Sequence, residues 1–114
     1  MEETINKVKR LVNAGKVRIS EHAYDELADD KLTVRELAES MNEAAIVEDY
    51  PEYPKGPCVL LLHKNQNREP IHAVWGIPSG KEEPAVLVTA YRPDPKRWEG
   101  DFIRRKTHGT PKKD

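Results

Sequence analysis

Apolar residues recur at helical spacing through the first part of the chain and change to alternation after a proline-rich break. Ile5, Val8, Leu11 and Val12 share one face of a helix predicted over residues 2–14. Glu2 and Glu3 suit its positive N-terminal end, and Gly15 is a natural stop. Residues 17–19 read as a short extended link. Ser20 is placed to cap a second helix over residues 21–29, whose inward face is Ala23 and Leu27, joined by Tyr24 and Ala28. Thr33 and Glu36 form a capping-box pattern that opens a third helix, with Val34, Leu37, Ala38 and Met41 inward. Residues 45–49 are a first strand. The segment YPEYPKGP, residues 50–57, holds three prolines and a glycine and reads as a connecting loop.

Beyond that loop the period becomes two. Residues 58–64 (CVLLLHK), 71–77 (IHAVWGI) and 85–91 (AVLVTAY) are strands joined by short polar connections, so an antiparallel meander is the simplest topology. The expected fold is α+β, with N-terminal helices packed on a four-stranded antiparallel sheet. One domain is expected over residues 1–106, followed by a loose basic tail over 107–114. The last strand organises the rest, because it leads directly into a polar exit at Arg92 and strand ends commonly carry sites. If Ile71, Ala73 and Trp75 face the helices together with Leu60, Leu62, Val86 and Val88, then Leu62 pairs Ala73 and Trp75 pairs Val86. The opposite face then gathers His63, His72, Thr89 and Tyr91 into a polar cluster. A solvated outer face accounts for the same residues.

Composition narrows the setting. A chain of 114 residues supports one core. Its longest apolar run, residues 58–62, is far short of a membrane span, and its N-terminal residues lack an apolar signal core, so a cytoplasmic protein is expected. The single cysteine, Cys58, excludes an internal disulfide and reads as a buried, inert thiol. Net charge is −1 overall but uneven: −5 over residues 1–57, 0 over 58–90 and +4 over 91–114. The organising strand therefore opens into the basic end of the chain, a segment able to meet phosphates.

The four histidines, His22, His63, His72 and His108, show no close metal-ligand spacing, so neither a metal nor a cofactor is expected. Glycine-rich phosphate loops and nucleophile elbows are missing from the sequence. Tyr50 and Tyr53 read either as a base-stacking pair or as loop anchors on the core. Asp25–Glu26 and Asp29–Asp30 read as a solvated helix face. What remains suits metal-free RNA cleavage, which needs a base for the 2′-hydroxyl, an acid for the leaving oxygen and cations for the phosphorane charge. Histidines, Tyr91, Arg92 and the Arg104–Arg105 pair are the right types.

Ser20 and His22 at a helix start, the helix opening at Thr33, the loop YPEYPKGP, the run PIHAVW and the run VLVTAYRPDPKRW together resemble the domain of unknown function 4258, over about residues 17–106. That family is similar to the barnase–EndoU–colicin–RelE fold group, many of whose members are metal-independent ribonucleases and toxins of toxin–antitoxin pairs. The resemblance implies an endoribonuclease that cleaves through 2′-hydroxyl attack, with RNA and a small antitoxin protein as partners. It implies a site in which His22 is the helix histidine, Thr89 and Tyr91 are the strand hydroxyls, and Arg104–Arg105 is the terminal basic pair. His22 or His72 then serves as base, Tyr91 or the other histidine as acid, and Arg92, Arg104 and Arg105 hold phosphate. The family usually puts arginines one and two turns after the histidine; Glu26 and Asp30 stand there in this chain. That reversal favours the alternative, a non-catalytic protein-binding module on the same fold.

Overall fold

In the computed structural model, which describes residues 2–106, three helices and a five-stranded sheet follow in the order α1 (Thr4–Asn13), β1 (Val17–Ile19), α2 (Glu21–Asp30), α3 (Val34–Glu39), a 3-10 turn (Met41–Glu43), β2 (Ala45–Tyr50), β3 (Cys58–Lys64), β4 (Pro70–Gly76) and β5 (Ala85–Tyr91). The expected basic tail, 107–114, lies outside the described residues. Local sequence explains the helix starts. Ser20 Oγ accepts from the Ala23 N–H, and Thr33 and Glu36 complete a reciprocal capping box. Lys31, in the left-handed region at φ 56°, ends α2.

The sheet order is β1-β5-β4-β3-β2. The expected meander is present as β2 to β5, antiparallel throughout. The expectation of four antiparallel strands is corrected by β1, which pairs β5 in parallel from Val17 opposite Ala85 to Ile19 opposite Leu87 and makes the sheet five-stranded and mixed. Three residues are too few to show a period, which is why this strand reads as a link.

All three helices pack on one sheet face. Val8 and Leu11 of α1, Ala23 and Leu27 of α2, and Leu37 of α3 meet Val59, Leu61, Ile71, Ala73, Trp75 and Leu87 in one core. Tyr24, expected inward, is 61% exposed, because Ala23 and Leu27 alone define the buried stripe of α2. The predicted phase of β3 is also wrong by one residue. Leu62 pairs His72 and His63 pairs Ile71, so Leu60 and Leu62 lie on the face away from the helices and His63 lies beneath them. Trp75 pairs Leu87, where Val86 was expected, so Ala85 and Leu87 enter the core, and Val86 and Val88, expected to face the helices, lie on the second face.

The second face is divided. Over one half, the chain after β5 folds back and lays Trp98 on His72, ring centroids 4.5 Å apart and edge-on. A bridge between Trp98 and Arg105 holds that segment closed on itself. The other half, around Val74, Gly76, Val86 and Val88, is an open groove bordered by the residue 50–57 loop.

Candidate functional site

The site is built where β1 stops and α2 takes over the edge of β5. Ser20 donates its backbone N–H to the Leu87 carbonyl and its hydroxyl to the Val88 carbonyl. The chain then turns into α2, leaving the next backbone donors of β5 without a strand partner. Glu26 and Asp30, one turn apart, fill that role. Glu26 Oε1 accepts from the Ala90 N–H at 3.2 Å and from the Thr89 hydroxyl. Asp30 Oδ2 accepts from the Arg92 N–H at 2.8 Å. A register shift between Val74 and Trp75 makes Val88 an extra residue on β5 and twists the strand end towards the helix.

His22 sits one turn before Glu26, its Nε2 3.3 Å from the same Oε1, with its side chain 71% exposed. The two side chains stand at ion-pair distance, four residues apart on one helix face. The reading of Glu26 and Asp30 as a solvated face is thereby corrected: they cap the free edge of β5. Glu26 is the residue that sequence reasoning missed, and its i,i+4 spacing from His22 is the signal that was available.

Across the sheet the row continues. Tyr91 is half-buried on the second face and pairs His72, with the two rings edge-on at 5.5 Å. Burial pushes the Tyr91 phenol up, and Arg105 opposes that rise, so the group stays protonated at neutral pH and is a proton donor. His72 is completely buried. Its Nε2–H donates to the Phe102 carbonyl at 2.7 Å, and its Nδ1 has no partner among the described residues. Burial lowers its pKa, opposed by the Phe102 carbonyl bond, and keeps it neutral. It therefore supports Tyr91 and Trp98 and does not open to solvent.

The arginines separate. Arg92 is fixed at the strand end, its Nε donating to the Asp30 carbonyl at 3.0 Å and its Nη1 3.3 Å from Glu69. Arg105 lies 4.5 Å over the Trp98 ring and 3.3 Å from Glu48, beside the Tyr91–His72 pair. Arg104 points elsewhere, 2.8 Å from Asp101, whose carboxyl is held at about 2, mainly by the Ile103 and Arg104 N–H groups. So His22 and Thr89 meet at Glu26, Arg92 is held one turn further along α2 by Asp30, Tyr91 packs on His72 with Arg105 beyond, and Arg104 stands apart.

His63, expected in this cluster, belongs to the core. Trp75 Nε1–H donates to His63 Nε2 at 3.2 Å. His63 Nδ1–H in turn reaches Ser40 Oγ at 2.9 Å, and the Ser40 hydroxyl donates to the Glu36 carbonyl at 2.8 Å. This relay satisfies a neutral imidazole, whose pKa burial lowers to about 4. Cys58 is half-buried at the groove, its thiol pushed up by burial and then by Asp49, which disfavours the thiolate. Among the described residues no three His, Cys, Asp or Glu side chains are grouped to hold a metal ion, and no helix is long and apolar enough to cross a membrane.

Comparison with known families finds one match: the model of a domain of unknown function, DUF4258, covers residues 19–92, which include His22, Glu26, Thr89 and Arg92. No curated protein and no solved structure matches the chain.

Proposed function

Because the chain belongs to the DUF4258 family, and its matched residues contain both the α2 start and the β5 end, we propose that it is a metal-independent endoribonuclease of the barnase–RelE kind. The observation that carries this is the joint at Glu26, where one carboxylate oxygen accepts from the hydroxyl of Thr89 on β5 and lies 3.3 Å from the exposed His22 of α2. His22 takes the proton from the RNA 2′-hydroxyl, which attacks the adjacent phosphorus. Tyr91 donates a proton to the departing 5′-oxygen, leaving a 2′,3′-cyclic phosphate. Arg92 and Arg105 offset the charge on the phosphoryl oxygens. The role of toxin, with a small antitoxin protein as partner in the cytoplasm, belongs to this same proposal.

The test is cleavage of a fluorescent RNA in EDTA. Acid–base roles predict that His22→Ala and Tyr91→Phe each lower the rate on the order of 10²-fold. Full activity in both variants contradicts the assignment. A second reading, a protein-binding module, is favoured by the pairing of Arg92 and Arg105 with Glu69 and Glu48, which reduces their charge towards phosphate. That reading predicts no cleavage by the wild-type chain at any concentration.

A further inference from the structure

The groove on the open half of the sheet is a built concavity of about 520 Å³, within the size range of small-ligand sites. Its floor is apolar and its depth has a simple cause. Gly76 pairs Cys58 on one side and Val86 on the other, so the second face lacks a side chain between them. A Cβ added there would sit 3.3 Å from Cys58 Cβ and 3.7 Å from Val88. Above the floor stand two exposed aromatic rings, Tyr50 at 44% and Tyr53 at 52%.

The charged residues that line the groove are both cationic; Glu48 accepts from the Tyr50 hydroxyl and Asp49 acts on the Cys58 thiol, but neither lines it. Arg18 and Lys55 line it, no carboxylate does, and among the described residues neither cation lies within 4.0 Å of one. This contrasts with Arg92, Arg104 and Arg105, each tied to an acid. An apolar slot with aromatic walls and two unpaired cations complements a planar, uncharged ring attached to an anion. Position adds a further argument. Val74 lines the groove and pairs Thr89, while His72, the next residue of β4 on that face, pairs Tyr91. Same-face residues on a strand are about 7 Å apart, so a ligand in the groove ends beside the candidate acid.

We infer that this groove is a nucleotide subsite: it stacks one base of a single-stranded nucleic acid on Tyr50 and Tyr53, with Arg18 and Lys55 on the flanking phosphates. It rests on the RNA-cleaving reading for its biological role and not for its binding chemistry. The probe is therefore a fluorescein-labelled, ten-nucleotide single-stranded DNA, which lacks the 2′-hydroxyl and cannot be cleaved by the proposed route.

Anisotropy at low salt should report binding. Tyr53→Ala should weaken it at least about fivefold, as expected for loss of a stacking platform. Arg18→Glu with Lys55→Glu should weaken it further and flatten its salt dependence. Val88→Asp, which sets a carboxylate on the floor at a 41% exposed position, should weaken it too. Circular dichroism and urea unfolding check that each variant is folded.

Absence of binding by the wild-type chain, or binding equal to wild type in the folded variants, overturns the subsite. So does a ten-residue peptide of alternating Glu and Leu that displaces the DNA and binds more tightly, which identifies a protein groove. A chain that binds DNA through Tyr53 yet cleaves no RNA keeps the subsite and removes the nuclease. A chain that cleaves RNA while its groove variants bind DNA unchanged removes the subsite and keeps the nuclease.

Discussion

Glu26→Ala is predicted to loosen the joint between α2 and β5 at a cost of about 2–4 kcal/mol. The side chain is largely buried, at 27% exposure. Its Oε1 serves the Ala90 N–H at 3.2 Å and the Thr89 hydroxyl. Ala90 is completely buried with the carboxylate in place, so truncating Glu26 removes the acceptor that its amide uses. An orphaned buried donor costs about 1–3 kcal/mol, and the lost bond from the Thr89 hydroxyl to a charged acceptor adds about 1 kcal/mol or more. Glu26→Gln keeps a carbonyl oxygen in place and should cost less than half as much. Urea unfolding at pH 7 measures these differences. A double-mutant cycle with Thr89→Val isolates the hydroxyl bond and should give a coupling of about 1 kcal/mol. A Glu26→Ala loss under 0.5 kcal/mol, or zero coupling to Thr89, would show that the carboxylate does not hold the strand edge and would remove the basis for a shared site.

Three further outcomes are expected. The His63 ring should resist protonation until about pH 4, while the same imidazole in the unfolded chain titrates near 6.5. The unfolded state thus binds more protons between those values, and stability present above pH 6.5 falls with acid by up to about 3 kcal/mol; a His63 ring proton that titrates near 6.5 in NMR spectra contradicts this. Gly56→Ala should destabilise by about 3 kcal/mol or more, since φ is +123° and the new Cβ would lie 2.0 Å from the Ile77 carbonyl oxygen. Gly80→Ala, with a φ of +75° and nothing within 4 Å, should cost only about 1 kcal/mol, and equal losses in the two unfolding curves would contradict the close approach of the loop to the β4–β5 turn. Thr33→Ala should cost about 1 kcal/mol in urea unfolding through loss of the cap on Glu36 N–H, and no loss would mean the box does not hold α3.

What could be read in the sequence depended on how local its cause was. The caps at Ser20 and Thr33 need only neighbouring residues, and both are present. The strands from Cys58 onward follow from alternation and short loops. The phase of β3 failed because Val59, Leu60, Leu61 and Leu62 are all buried: helices cover one face and the Trp98 segment covers part of the other, so alternation disappears. His63 consequently moved to the wrong side. α2 runs along the edge of β5, where Glu26 stands between His22 and Thr89. The pairing of Glu26 with His22 was legible in their spacing, but the capping of β5 by Glu26 and Asp30 was not, because only the topology reveals that β1 stops at Ile19 and leaves the amides of Ala90 and Arg92 for α2 to satisfy. Trp98 and Arg105 stack through a non-local fold-back that no periodicity announces.

The central claim is 2′-hydroxyl attack assisted by His22, and the chemistry of the product ends tests it most directly. The substrate is an all-deoxy oligonucleotide carrying one ribonucleotide, incubated with the chain in EDTA and analysed by mass spectrometry. The account predicts a single cut after the ribose, a 2′,3′-cyclic phosphate on one fragment and a free 5′-hydroxyl on the other, with the products strongly reduced in His22→Ala. An intact oligonucleotide, a cut that leaves a 5′-phosphate, or undiminished cleavage by His22→Ala would contradict it.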